Sequence, residues 1–200
     1  MVYYSLDTAP RNTIIVAMAL VSLGITFLPT LISPDFTAKF GPLSTFGVFG
    51  LLFLLFDKFL WRYTPGVGIP NLSGIWRGTI ERGIDPGTTR GKTSQIVIRI
   101  TQTWTRIDVV FQGTHSVSRS ELVGMSLVNP QHIELYYSYQ KQPKTLTPSG
   151  QKHSTGYTRL VFEEDGAQKR LVGPYFSDEY RGGSICVTRE PPAPNQTTSG

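Results

Sequence analysis

The sequence predicts a membrane-anchored, all-β protein: an N-terminal two-helix transmembrane hairpin, then an eight-stranded antiparallel up-and-down β-barrel. Three observations predict it. The chain of 200 residues is 40% hydrophobic but only 16% charged, where a soluble domain carries about 25% charged residues. The missing charge is concentrated: between residues 11 and 56 only Arg11, Asp35 and Lys39 are charged. After a Pro- and Gly-rich segment, TPGVGIPN at 64–71, short alternating or β-branched runs recur between turn residues, with no sustained helical period. The length suits one small domain and an attachment.

The hairpin comes first, as a domain over residues 1–63. Thr13 to Ile32 is a run of 20 residues without a charge, and at about 1.5 Å rise it matches a hydrocarbon core of about 30 Å. A second uncharged run, Phe40 to Phe56, extends to about residue 60 through Phe59 and Leu60. The loop SPDFTAK between them holds the helix breaker Pro34. Tyr3 and Tyr4 precede the first span, and Trp61 and Tyr63 follow the second, where aromatic residues favour the headgroup level. Arg11, Lys58 and Arg62 on one side, against Lys39 on the other, orient both termini and the barrel toward the cytoplasm. Neither uncharged run, Thr13 to Ile32 or Phe40 to Phe56, holds an ionisable residue, which argues against the proton relay of a coupled transporter. Gly41, Ser44, Gly47 and Gly50 form a small-residue stripe suited to close helix packing, within the chain or between protomers.

The barrel is expected over 72–189. Its strands are 73–82, 93–101, 105–113, 115–128, 132–141, 154–163, 168–176 and 183–189. The fourth is long enough to bend at Gly124. The breaks are DPGTTRG at 85–91, NPQ at 129–131, the Pro/Gly-rich 143–150 and EDGA at 164–167. Even spacing of this kind fits an up-and-down, lipocalin-like antiparallel barrel or a compact sandwich; in a closed barrel, closure removes exposed edges and the interior can hold one small ligand. The tail 190–200, PPAPNQTTSG at its end, is expected to be disordered.

The chemistry-bearing residues exclude more than they assign. The single Cys186 excludes an internal disulfide framework and a Cys-rich zinc site, and three histidines leave little for a metal cluster. There is no H-x-x-x-H, G-x-S-x-G or Walker loop, so no catalytic residue, metal or cofactor is expected. Cys186 lies in an apolar strand and reads as a structural thiol. What remains is a binding constellation. Period two puts Gly74, Trp76 and Gly78 on one face, with Trp76 either a ligand platform or a plug of the core. Tyr137 and Tyr139 share a face with Leu135, Tyr175 follows Gly173-Pro174, and Arg181 follows in the next loop. Arg77, Arg99, Arg106 and Arg159 add planar cations in or beside the strands. Stacking aromatics and forked guanidiniums suit a nucleotide-like anion, and a net charge of +5 agrees.

In this order the motifs resemble the two-transmembrane β-barrel effectors of bacterial CBASS, the cyclic-oligonucleotide-based antiphage signalling systems. The matching pieces are Pro70 to Gly78, read as P-N-L-x-G-x-W-x-G; the Tyr137-Ser-Tyr139 repeat; His153, Gly156 and Leu160; and Leu171-Val-Gly-Pro-Tyr175 leading to Arg181-Gly-Gly. The resemblance covers nearly the whole chain except the tail. It implies a non-enzymatic effector in the bacterial inner membrane, functionally coupled to a CD-NTase-type nucleotidyltransferase. Its barrel would bind a cyclic di- or trinucleotide through Trp76, Tyr137, Tyr139, Tyr175 and Arg181 rather than bind DNA or RNA. Binding would drive self-association of the helices in the lipid bilayer, membrane disruption and abortive infection. The alternative is a membrane-anchored, lipocalin-like carrier or sensor of an apolar ligand.

Overall fold

The computed structural model of the chain describes residues 2–6, 10–32, 45–64, 68–83, 93–114, 116–129, 132–143, 154–166, 168–178 and 181–191. The chain divides into two compact units: a barrel unit of Met1–Asp7, Asn71–Gln102 and Arg106–Gly200, and a helical unit of Thr8–Pro70 and Thr103–Thr105.

In the barrel unit, β1 is Val2–Leu6 and the eight later strands are β2 (Gly74–Arg82), β3 (Thr93–Gln102), β4 (Arg106–Gln112), β5 (Ser116–Asn129), β6 (His132–Pro143), β7 (Ser154–Asp165), β8 (Gln168–Ser177) and β9 (Gly182–Arg189). Strands β2 to β9 are antiparallel to their sequence neighbours, and β2 pairs with β9 to close the barrel. Each expected strand is present, with both ends within two residues of the expected ones. Turn residues set those ends and period-two burial fills the strands between, as in β3, where Ile96, Ile98, Ile100 and Gln102 are buried.

One strand was not expected. β4 and β5 pair directly only from Val110/Arg119 to Gln112/Val117. Below that point they part, and β1 fills the seam. It pairs antiparallel with β4 (Val2 with Ile107, Tyr3 with Arg106) and parallel with β5 (Tyr4 with Val123, Leu6 with Met125). A parted seam would leave two rows of backbone groups without partners, and β1 supplies them. At the fork, Val109 N donates to Ser120 Oγ at 3.0 Å. The register shift of β5 falls between Ser120 and Leu122, with a second between Leu127 and Asn129. The irregularities of β5 thus lie at the fork and at its end, while Gly124 pairs in regular register with Tyr136. Tyr3 and Tyr4, expected as interfacial aromatics ahead of a span, belong to β1 and the barrel.

In the helical unit, α1 runs Pro10–Ile32 and α2 runs Thr45–Lys58, followed by a single 3₁₀ turn at Leu60–Arg62. Pro10 opens α1 where its missing N–H costs nothing. The two helices lie antiparallel: Ile14 and Met18 pack with Phe53 and Phe56, while Thr26 Oγ1 meets Thr45 Oγ1 at 3.1 Å toward the other end. Residues Arg11–Leu28 of α1 are long and apolar enough to cross a membrane, with mean hydropathy 1.7. As described, α2 has 14 residues and falls short of that length. Leu20, Phe27, Leu28, Phe46, Leu51 and Leu54 are all more than half exposed.

The β3–β4 turn belongs to this helical unit. Trp104 is buried with Phe56 and Trp61, its ring edge-on to Phe56 at 4.9 Å. Asp57 accepts from Thr105 N and Thr105 Oγ1, each at 2.8 Å, and Trp104 N donates to Asp57 O at 3.0 Å. Arg11 donates to Trp104 O at 3.0 Å and sits 5.8 Å from its ring centroid. Asp57 lies in the last turn of α2, where the helix dipole disfavours an acid. The two hydrogen bonds that its carboxylate accepts from Thr105 offset that. The expected start of the second span at 40–44, its preceding loop with Pro34 and Lys39, the turns at 85–91, 130–131 and 144–150, His153 and the tail from 192 lie outside the described residues.

Candidate ligand-binding site

Strand alternation decides which side chains enter the barrel. On β6 the inner face runs Ile133, Leu135, Tyr137, then Tyr139 and Lys141. On β7 it runs from Phe162 through Leu160 and Thr158 to Gly156 and Ser154, and on β8 from Leu171 to Tyr175. The interior is thereby divided by chemistry along its axis.

One end is apolar and filled. Leu72, Trp76, Ile98, Leu135, Leu160, Leu171 and Val187 are each 0% exposed. Trp76 Nε1 donates to Leu72 O at 3.0 Å, so even its polar atom is satisfied locally. Phe162 meets the indole edge-on at 6.4 Å, and the Arg189 guanidinium lies 5.9 Å from the ring while donating to Asn71 O and Ser73 O. Trp76 occupies the plug of the core, the second of the two readings its sequence position left open.

The other end is lined by phenols, hydroxyls and glycines. Val123, Tyr137, Thr158, Tyr175, Gly183 and Arg82 are successive partners across neighbouring strands. One row further out, Ser120, Tyr139, Gly156 and Ser177 follow one another, and beyond them Ser118, Lys141 and Ser154. Tyr137 and Tyr139 have ring centroids 6.2 Å apart, and Tyr139 Oη donates to Phe176 O at 3.3 Å. Gly156 and Gly183 let these rings lie against the wall. A Cβ on Gly156 would stand 2.3 Å from Tyr139 Oη, and one on Gly183 2.9 Å from Tyr175 Cε1.

The structure thus brings Tyr137, Tyr139, Tyr175 and Arg181 to one end and leaves Trp76 at the other. From Trp76 to Arg82 along β2 is six residues, about 20 Å. Arg77, Arg99, Arg106 and Arg159 are exposed on the outer wall. Arg77 pairs there with Glu190 and Arg159 with Glu134 (Nε to Oε2 at 3.0 Å). They are the solvated face of the strands rather than lining.

Electrostatics at the mouth favour neutral donors inside and cations at the rim. Burial pushes the Tyr137 hydroxyl well above its ordinary range, with the Thr158 hydroxyl offsetting part of the shift. Burial also raises Tyr175, and the Arg82 and Arg181 guanidiniums oppose it, which puts both cations within electrostatic reach of this phenol. Both phenols therefore stay protonated at neutral pH and act as O–H donors. Thr158 is 1% exposed, and its Oγ1 has no hydrogen-bond partner of good geometry. Such a group is costly to bury unless something satisfies it.

The rim is fixed by Asp178. Its carboxylate accepts from Ser154 Oγ at 2.8 Å, Thr155 N at 2.9 Å and Thr155 Oγ1 at 3.0 Å, while its own N–H donates to Thr155 O at 2.9 Å. Ser177 N donates to Arg181 O at 2.8 Å, so both ends of the short β8–β9 connection are held. Sequence reasoning did not single out Thr158, Arg82, Lys141 or Asp178 as part of this site. The signal for Thr158 and Lys141 was present in the alternation of β7 and β6; that for Asp178 was not, because its partners are 23 and 24 residues away. Among the described residues no group of three or more His, Cys, Asp or Glu converges as a metal site.

Residues 67–189, which contain the last of the linker and all of β2 to β9, match the family described as Cap15, cyclic dinucleotide receptor domain. The chain is also 30% identical over 161 residues to CD-NTase-associated protein 15 of Yersinia aleksiciae, covering 75% of this chain and 71% of that protein. A closed barrel with a helical N-terminal region, matched by this family over its whole eight-stranded length, is a member of the Cap15 effector family of CBASS.

Proposed function

We propose that the polar end of the barrel binds a cyclic dinucleotide, and that binding drives the helices of several copies together in the bacterial inner membrane, disrupting it. The chain is then an effector that acts with a CD-NTase-type nucleotidyltransferase and carries no chemistry of its own. One observation carries this reading. Three tyrosines, the buried Thr158 hydroxyl beside Tyr137, and a rim bearing Arg82 and Arg181 converge at one end of a barrel whose other end is filled. The family match supports the ligand class.

The chemistry fits. A cyclic dinucleotide offers two phosphates and two flat bases. Two charge-assisted hydrogen bonds at about 1.5–3 kcal/mol each and two stacking contacts at about 1–3 kcal/mol each give about 5–12 kcal/mol. Micromolar to nanomolar binding corresponds to about 8–12 kcal/mol, so burial of the bases must offset the association entropy. The apolar half of the interior is occupied by its own side chains, so the carrier alternative has less support.

The membrane arm rests on α1, which has the length and hydropathy of a span, on its partner α2 as a shorter second arm of a multi-pass hairpin, and on their exposed apolar faces. In this reading both termini and the barrel lie in the cytoplasm. For ligand to drive assembly, it must bind the assembled state more tightly than the dispersed one.

The test is a calorimetric titration of the full chain in nanodiscs with cyclic di-AMP, cyclic di-GMP and cyclic GMP–AMP, with fatty acids as controls. Binding of one cyclic dinucleotide, weakened in Arg181→Ala, is the expected result. Silence across the panel, with fatty-acid binding instead, would replace this reading by the carrier.

A further inference from the structure

The outer wall of the barrel carries a feature that ligand binding alone does not require. Three large hydrophobic side chains of β2 to β9 are strongly exposed among the described residues: Leu122 at 72%, Tyr157 at 44% and Phe176 at 57%. They are not scattered. Leu122 is the ladder partner of Ser138, Ser138 of Tyr157, and Tyr157 of Phe176. They form one lateral row across β5, β6, β7 and β8. Each residue of the row is also the chain neighbour of one residue of the inner ligand row: Val123, Tyr137, Thr158 and Tyr175 in the same order. The exposed row is the reverse side of the site's own wall.

We infer that this row is a self-association surface, on which a second copy of the chain docks when the mouth is occupied. The inference rests on the ligand reading above and names the face through which that ligand acts. The row is shaped for its own copy. Its midpoint lies between Ser138 and Tyr157, so a two-fold axis there sets Tyr157 against the partner's Ser138 and Phe176 against the partner's Leu122, large against small. Ser138 supplies a notch, its Oγ accepting from Leu122 N at 3.2 Å.

Charge argues the same way. The cations flanking the row, Arg159 on one side and Arg119 on the other, face Glu134 and Asp108 respectively. Paired flanks give a mixed rim suited to an identical face. An anionic lipid surface would call for cations without carboxylates beside them.

Size fixes when the contact forms. Three side chains of this kind cover at most roughly 400 Å², about half of the 800 Å² per partner that a stable complex buries. The face is too small to hold free barrels together. It suffices for copies already confined to one membrane, where effective concentration is high. The link to the ligand is short: Tyr139 Oη donates to Phe176 O, and Tyr175 and Phe176 are adjacent on β8 with opposite facing. A ligand that stacks on Tyr139 and Tyr175 sets the orientation of Phe176.

The test uses the full chain in nanodiscs sized for several copies, with the cyclic dinucleotide found by titration as the probe. Two readouts are taken, affinity by calorimetry and copies in contact by bismaleimide crosslinking of Tyr157→Cys in a Cys186→Ser background. Ligand should raise the crosslinked fraction at least fivefold. Adding Leu122→Ser and Phe176→Ser should return it to the ligand-free level while affinity stays within twofold. Crosslinking that persists in that variant, or wild-type binding without any rise in crosslinking, overturns the inference and leaves the ligand reading standing. Failure of every cyclic dinucleotide to bind removes the ligand reading and, with it, this ligand-dependent contact. Equal crosslinking with and without ligand shows a constitutive interface and also overturns it.

Discussion

The two ends of the barrel interior are built from the same strands and the same alternation, yet one is finished and the other is open. Around Trp76 every large side chain is buried and the one indole N–H already has its acceptor. Around Tyr175 the lining is phenol, hydroxyl and glycine, with the Thr158 hydroxyl buried beside the Tyr137 phenol. The difference teaches where stability and function have been separated. Side chains that satisfy one another stabilise the fold; side chains that need a visitor bind one. Substitutions at the two ends should therefore fail in different assays.

The largest effect is expected at the closed end. Trp76→Ala removes a fully buried indole, its packing on Phe162 and its stack on Arg189. Such truncations cost about 3–5 kcal/mol, a large part of the roughly 5–15 kcal/mol by which a domain is stable. A thermal melt should show the loss as a fall of ten degrees or more, about what that energy implies for a domain this size. A melt within two degrees of wild type would contradict the plug.

Next comes the rim. Arg181→Ala should weaken cyclic dinucleotide binding by about 10- to 150-fold, the equivalent of one charge-assisted hydrogen bond of about 1.5–3 kcal/mol, while the melting temperature moves by less than about 2 °C. The salt dependence of binding should flatten in the same variant. Asp178→Ala should act through Arg181: a smaller loss, about three- to tenfold, and no further loss when combined with Arg181→Ala. A full additive loss in the double variant would mean that Asp178 meets the ligand or the fold independently.

Thr158→Val separates the two ends most sharply. The change keeps the shape and deletes only the buried hydroxyl beside Tyr137, so the free protein should shift by no more than about 1 kcal/mol. Ligand affinity should fall about fivefold. A destabilised free protein would show that Thr158 serves the fold after all; calorimetry and a melt on one sample decide it.

How much of this was legible beforehand follows from locality. The eight strands of the closed barrel were readable because alternation and turn residues are local signals, and Tyr137, Tyr139 and Tyr175 were assigned to one face by counting. β1 was not, because five residues, VYYSL, carry too little alternation, and its parallel partner on β5 lies more than a hundred residues away. The sequence left Arg77, Arg99, Arg106 and Arg159 in or beside the strands without fixing their side of the wall, because alternation fixes relative facing and not which face is inside. Arg159 shows it: opposite Tyr136 across the ladder, it turns out to Glu134. Trp76 shared its face with the ligand row but sits six residues from it along β2, a distance that period-two reasoning does not measure.

The smallest effect at neutral pH is that of the tyrosines' own ionisation, and it becomes visible only in alkali. Burial raises the folded-state pKa of Tyr137 and of Tyr175 above the unfolded value of about 10. The folded state then holds its phenolic protons more tightly than the unfolded chain does. Their contribution to stability is complete below pH of about 10 and is lost as pH rises above it, because the unfolded chain ionises first. Stability should thus be flat between pH 7 and 9 and fall beyond 10. Tyr137→Phe should blunt that fall, while Trp76→Phe, at the end without phenols, should leave its slope unchanged. An alkaline titration followed by circular dichroism that shows equal slopes in all three proteins would remove Tyr137 from the desolvated interior. A blunted slope confined to Tyr137→Phe would tie the alkaline limit of the fold to the open end alone.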